Sequence, residues 1–307
     1  MILTVCMSPC VDVTIELDAL NVGKTNVVKS KARSLGGKAL NVAIGVRRLG
    51  GEVYTTGIMY HENGYMFKNA LEKEGVPFAF VWNEGRVREN YKFIDNRSML
   101  TEINDIGEEV ERDKLAEMLD LVRALSQRSD VVVLSGGLPR GAAQEYYGDL
   151  ARAVDSRALK IVDAEGVRLF SAVGEGVDLA KPNLDELENT LGRRIESKED
   201  MLRGCYELLD RGAKRILLSL GKQGAVITDG MESYYCKSLN VAVNSTVGAG
   251  DGMVAAAALK LEQGAPLPEI LRAGVAAGTA TVMTVGQVSF TKEKYQEVMS
   301  NLRVSKL

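Results

Sequence analysis

The sequence predicts a doubly wound α/β fold: a mainly parallel sheet covered by helices, with a small second sheet beside it. Three observations predict it. Short continuous apolar runs, Val131-Val132-Val133-Leu134 before Ser135-Gly136-Gly137 and Ile216-Leu217-Leu218-Ser219-Leu220 before Gly221, suit strands buried on both faces. Helical periods lie between such runs, and this alternation is the pattern of a layered α/β sheet. Third, residues 11–17, parts of 27–33 and 88–104 alternate polar and apolar side chains with no strong helix between partners.

Each element has its own reason. Residues 111–126 put Leu115, Met118, Leu119, Val122 and Leu125 on one helical face. Residues 38–49 and 64–74 are expected helices that stop at Gly50 and Gly75. The alternating segments are expected to form an antiparallel excursion, a lid contributed by about 11–34 and 86–104. It would cover the carboxyl ends of the parallel strands, where open α/β sheets bind ligands. No repeat, low-complexity tract or linker divides the 307 residues, so a single domain over 1–307 is expected.

Composition excludes several classes. A net charge of −3 with 26% charged residues is unlike a nucleic-acid binder. No apolar stretch approaches the ~20 residues of a membrane span, and MILTVCMSPC reads as a first strand, not a signal peptide. Cys6, Cys10, Cys205 and Cys236 fit neither a disulfide framework nor a zinc site, so a reducing cytoplasm is the simplest setting. The sole histidine, His61, sits in a turn-like segment, where a surface role is favoured over catalysis.

The chemistry concentrates in Asn244-Ser-Thr-Val-Gly-Ala-Gly-Asp251 and the Ala-rich run after it. That run is a strong helix former ending near Gly264-Ala-Pro266. It places Gly248, Ala249 and Gly250 at a helix N-terminus, where open N–H groups and the helix dipole make an anion site. Asp251 would repel an anion there unless it has a task. It is either a general base for an attacking hydroxyl or an acid that only complements the helix dipole.

Val247-Gly248-Ala249-Gly250-Asp251 resembles the second signature of the ribokinase-like, phosphofructokinase B carbohydrate kinases. Leu35-Gly36-Gly37-Lys38-Ala39-Leu40-Asn41-Val42-Ala43 resembles the first signature of their sugar-phosphate branch. Similarity continues through Thr101-Glu102-Ile103-Asn104, Ser135-Gly136-Gly137-Leu138-Pro139, Lys181-Pro182-Asn183-Leu184-Asp185-Glu186 and Ser219-Leu220-Gly221-Lys222-Gln223-Gly224. The resemblance spans nearly the whole chain and is greatest to the branch with 1-phosphofructokinase and tagatose-6-phosphate kinase.

It implies a ribokinase-like fold with a β lid and ATP-dependent phosphorylation of a sugar-phosphate hydroxyl. Asp251 would be the base, and Gly248, Ala249 and Gly250 the anion hole. Asp12, Gly36, Gly37, Asn41, Asn90 and Glu102 would hold the sugar, with Lys38 and Arg88 on its phosphate and Lys92 a weaker candidate. Lys181, Asn183, Ser219, Gly221 and Gly224 would border the nucleotide, and Glu186 would act through water on Mg²⁺. It also implies a homodimer clasped through the lid.

Departures crowd the acceptor side. Ala39 and Gly137 replace a usual glycine and serine, and Asp163-Ala164-Glu165-Gly166 departs from Asp-x-Ser-Gly. Lys24-Thr25-Asn26-Val27-Val28 lacks an arginine often found there, for which Lys24 or Lys29 would compensate. An unphosphorylated sugar or nucleoside acceptor, or a non-catalytic sensor on the same fold, therefore stay open. A dinucleotide-dependent oxidoreductase needs an early G-x-G-x-x-G and a P-loop kinase needs G-x-x-x-x-G-K-[ST]; neither motif is present.

Overall fold

The computed structural model describes every residue except Ser98, Val285, Gln287 and Ser289; Ser98 falls in the second expected lid segment and lies outside the described residues. The chain begins with β1 (Ile2–Cys6), β2 (Cys10–Leu17), β3 (Val28–Gly36), α1 (Lys38–Arg48), β4 (Val53–Tyr60), α2 (Tyr65–Lys73) and β5 (Phe78–Asn83). It continues through β6 (Arg88–Ile94), β7 (Leu100–Asn104), α3 (Arg112–Ser126), β8 (Val131–Ser135), α4 (Tyr146–Ala153), β9 (Leu159–Asp163) and α5 (Gly166–Gly174). Then come β10 (Leu179–Ala180), α6 (Leu184–Leu191), α7 (Lys198–Asp210), β11 (Ile216–Ser219), β12 (Ala225–Thr228) and β13 (Ser233–Cys236). The last elements are α8 (Ala249–Glu262), α9 (Leu267–Val282), α10 (Lys292–Asn301) and β14 (Val304–Lys306).

Among the described residues, ten strands form one sheet in the order β14-β13-β12-β11-β10-β9-β8-β1-β4-β5. Neighbours from β11 to β5 are parallel, while β11 to β14 form an antiparallel edge. The apolar runs that predicted parallel strands are buried on both faces: Val131–Val133 and Ile216–Leu218 are fully covered. Chain order reverses at β1 and β8, so the crevice at their carboxyl ends is where such a sheet takes ligands. The three helices named from the sequence form within a residue or so of their expected bounds.

The second sheet has the order β3-β2-β6-β7. Its outer pairs are antiparallel, but β2 and β6 are parallel, which corrects the expectation of an antiparallel excursion. Both strands leave the carboxyl ends of parallel strands, β1 and β5, and so set out in the same direction. Val22, Val27, Val28, Met99, Leu100, Ile103 and Ile106 stay exposed on this sheet and its loops.

Helix α8 packs on α9 through small residues. A Cβ on Gly252 would lie 2.5 Å from Thr281 Oγ1, and one on Gly274 would lie 2.9 Å from Met253 Cγ. This close approach fixes the start of α8 over the carboxyl ends of the sheet.

Candidate active site

Gly248 caps α8 with φ 83°, a left-handed conformation open to glycine. Asp251 is therefore the third helical residue, and it is buried. The Ala249 N–H donates to Thr246 O at 3.3 Å, which leaves the N–H groups of Gly250 and Asp251 as the first-turn donors aimed beyond the helix. Asn41, in the first turn of α1, donates from Nδ2 to Asp251 Oδ2 at 2.7 Å. Burial, and then the nearby charge of Asp163, push the Asp251 carboxyl up to about 6; Asn41, Lys38 and Lys181 oppose the rise. A carboxylate so placed is ionised at neutral pH yet close enough to its pKa to take a proton.

Next to it lies a cluster of alternating charges. Asp163, buried at the end of β9, has Lys181 Nζ 3.1 Å from Oδ1 and Lys38 Nζ 3.5 Å from Oδ2. Burial disfavours its charge, but Lys181 and Lys38 more than offset this and hold the carboxyl below the usual range. Lys38 also meets Glu186 Oε1 at 3.3 Å. Asp163 foremost, with Glu186 and Asp251 adding, keeps the Lys38 ammonium protonated against burial. Glu186 is fixed by a capping box at the start of α6: Asn183 Oδ1 accepts from Glu186 N, and Glu186 Oε2 accepts from Asn183 N, both at 2.8 Å. A Cβ on Gly250 would lie 3.6 Å from Lys181 Nζ, so the lysine stands against the helix start. The result is a corner in which two ammonium groups stand among three carboxylates at the helix start.

Asn183 is bridged to Ser219 at the end of β11, and Ser219 N donates to Pro182 O at 3.0 Å. Beyond it, Gly224 has φ 98°, and a Cβ there would meet Cys236 O at 2.0 Å, so the turn accepts only glycine. Gly221 shares this turn with φ 56°. Lys181, Asn183, Glu186, Ser219, Gly221 and Gly224 thus come together as one wall.

On the other side, Asp12, Asn90 and Arg88 meet. Asp12 pairs with Lys92 Nζ at 3.4 Å and receives Asn90 Nδ2 at 3.4 Å. Gly36 makes room for it: a Cβ there would stand 3.0 Å from Asp12 Oδ2 and 2.8 Å from Cys10 Sγ. Gly37, at φ 139°, turns the chain into α1. Arg88 donates from Nε to Ser8 Oγ (3.1 Å), and from Nη1 to Asn90 Oδ1 (2.8 Å) and to the main-chain O of Asp105 (3.3 Å). All three acceptors are neutral, and Arg88 has no ion pair among the described residues.

Some expected residues sit elsewhere. Lys38 is engaged by Asp163 and Glu186, so it and Arg88, expected on one phosphate, have different partners. Glu102 is exposed on β7, opposite Lys92 across the strand pair. Lys29 pairs with Asp18 on the exposed part of the second sheet, and Lys24 is exposed. His61 stacks on Trp82 outside the site. From the sequence Asp163 stood only as the start of an altered Asp-x-Ser-Gly stretch, with no role given to it, although it closes the apolar strand Leu159–Asp163; Ser8 and Arg168 were not singled out and carried no signal there.

The description of the pfkB family carbohydrate kinases matches residues 6–294. This chain belongs to that family. It is 28% identical to the 1-phosphofructokinase of Vibrio cholerae serotype O1, over all of this chain and 97% of that protein. To the tagatose-6-phosphate kinase of Staphylococcus epidermidis it is 29% identical, over 99% of each. The crystal structure of phosphofructokinase-2 from Escherichia coli in complex with potassium superposes with a TM-score of 0.89 at 29% identity, covering 97% of this pfkB kinase and 98% of that chain. The expected family and fold class are therefore correct, and the chain is a carbohydrate kinase. No helix among the described residues is long and apolar enough to cross a membrane.

Proposed function

We propose that this pfkB kinase transfers the γ-phosphoryl group of ATP to a hydroxyl of a phosphorylated sugar, in the manner of a 1-phosphofructokinase or tagatose-6-phosphate kinase. The buried Asp251, held by Asn41 at the open start of α8, is the observation that carries this reading. As general base, Asp251 takes the acceptor hydroxyl proton as the oxygen attacks phosphorus. The Gly250 and Asp251 N–H groups, in the anion hole shaped by Gly248 and Ala249, stabilise the charge on the transferring group.

ATP supplies the phosphoryl group, and Mg²⁺ offsets the charge of its phosphates. The residues fit both. Lys181 and Lys38 present ammonium groups beside the helix start. Among the described residues there is no cluster of three metal-ligating side chains, which suits an ion held mainly by phosphates and water, with Glu186 orienting that water. Ser219, Gly221 and Gly224 would border the nucleotide. Asp12, Asn90, Gly36, Gly37 and Asn41 would hold sugar hydroxyls, with Lys92 paired to Asp12. Arg88, whose partners are all neutral, would take the acceptor's phosphate. The β3-β2-β6-β7 sheet acts as the lid of one kinase domain, and its exposed apolar residues pair with a second copy in a homodimer.

The test is ADP release with Mg-ATP over free sugars, sugar 1-phosphates, sugar 6-phosphates and nucleosides, with Asp251→Asn as control. Turnover of a phosphorylated ketohexose that collapses in the variant supports the reading. Turnover of only unphosphorylated acceptors removes the Arg88 assignment, and nucleotide binding without turnover of any acceptor refutes the kinase step.

A further inference from the structure

Arg168, in the first turn of α5, belongs to none of the groups so far assigned. Its Nη2 donates to Glu165 Oε1 at 3.2 Å, and that carboxylate is 44% exposed. Its Nε is buried with no hydrogen-bond partner among the described residues. A buried, unpartnered N–H on a cation is costly to keep unless something completes it. Its Nη1 points to Gly137: a Cβ there would lie 3.6 Å from Nη1, 3.7 Å from Ser8 Cβ and 3.8 Å from Ser8 Oγ.

Ser8 is also the residue that Arg88 Nε engages, at 3.1 Å. Ser8 follows β1 and Gly137 follows β8, so the two flank the point where strand order reverses. Tyr147 pins the adjoining turn by donating its hydroxyl to Gly136 O at 2.8 Å. Arg88 thus meets Ser8 and Arg168 stands against Gly137, and among the described residues the one carboxylate paired with either is the half-exposed Glu165. The positive excess faces a place where Gly137 contributes no side chain.

We propose that Arg168 is an acceptor-binding residue that holds the sugar's phosphate together with Arg88, across the gap left by Gly137. This rests on the reading that the acceptor is phosphorylated. One planar fork reaches the phosphate from β6 of the second sheet and the other from α5. Arg168 thereby sets the preference for a phosphorylated over a plain sugar.

The experiment compares wild type, Arg168→Ala, Arg168→Gln and Gly137→Val by steady-state kinetics. The acceptors are the preferred sugar phosphate and the same sugar without phosphate, and inorganic phosphate serves as inhibitor. The Ala and Gln variants are expected to raise KM for the sugar phosphate roughly 10- to 100-fold, the loss typical of one charge-assisted contact. KM for ATP and turnover of the plain sugar stay the same, and inhibition by phosphate weakens in parallel. Gly137→Val fills the gap and gives the same signature with Arg168 intact, so a folding defect in one variant does not decide the matter. An equal loss on both sugars, a change confined to ATP, or an unchanged preference overturns the role of Arg168. A wild type without preference for phosphorylated sugars overturns the underlying reading as well.

Discussion

Replacing Asp251 with asparagine should make the protein more stable and nearly inactive. The carboxyl is pushed from 3.8 to about 6, chiefly by burial and then by Asp163. At ~1.4 kcal/mol for each tenfold change in proton affinity, keeping the ionised form costs about 3 kcal/mol at neutral pH. The sign follows from proton binding. Between about pH 4 and 6 the folded chain holds a proton that the unfolded chain has released, so the stability difference is absent below that window and complete above it. An asparagine amide keeps an acceptor for Asn41 and carries no charge. For 307 residues, at ~2.1 cal/mol/K per residue, about 3 kcal/mol raises Tm by about 5 °C. The assay is thermal unfolding of both proteins at pH 4 and pH 7.5, alongside ADP release. Loss of the base should lower kcat by about 10²- to 10⁴-fold. A variant no more stable than the parent at pH 7.5, or a gain of equal size at pH 4, would refute the view that Asp251 is held ionised at a cost.

The remaining expectations are more compact. In the parent, kcat/KM should fall tenfold per pH unit below about 6, because the active form of Asp251 is unprotonated; a flat profile from pH 5 to 8 removes its role as base. Lys181→Met breaks a buried pair with Asp163, so stability should drop by about 3 kcal/mol in urea unfolding and KM for ATP should rise, whereas an unchanged midpoint would show the pair to be worth nothing net. Gly36→Ala puts a methyl 2.8 Å from Cys10 Sγ and 3.0 Å from Asp12 Oδ2, so it should cost about 1–3 kcal/mol and raise KM for the acceptor more than for ATP, as paired kinetic and unfolding runs will show. Ile103→Glu places a charge on the exposed apolar surface of the lid and should shift light scattering from dimer to monomer; a wild type already monomeric at micromolar concentration removes the premise.

Much of the fold was legible because its signals are local. A strand covered on both faces must be apolar throughout, so Val131–Leu134 and Ile216–Leu218 announced a parallel core, and Gly248 to Asp251 before an alanine run announced an open helix start. What local pattern cannot carry is direction and long-range pairing. The alternation in 11–17 and 88–94 marks strands but not their mutual sense, which β1 and β5 set by delivering both from the same end of the sheet. Lys38 read as a partner of Arg88 because both lay in substrate-side motifs. Only the folded chain brings it to Asp163 and Glu186, residues distant in sequence. Arg168 carried no signal of its own, since an arginine on a helix is ordinary until the fold buries its Nε and sets it against Gly137 and Ser8. By itself, then, the sequence determined the layered α/β sheet and the glycine-framed helix start with Asp251 in its first turn, because each follows from neighbouring residues. Tertiary structure alone decided which charged and polar groups pair with one another, because those pairings depend on contacts between distant segments, such as Asn41 with Asp251, 210 residues apart.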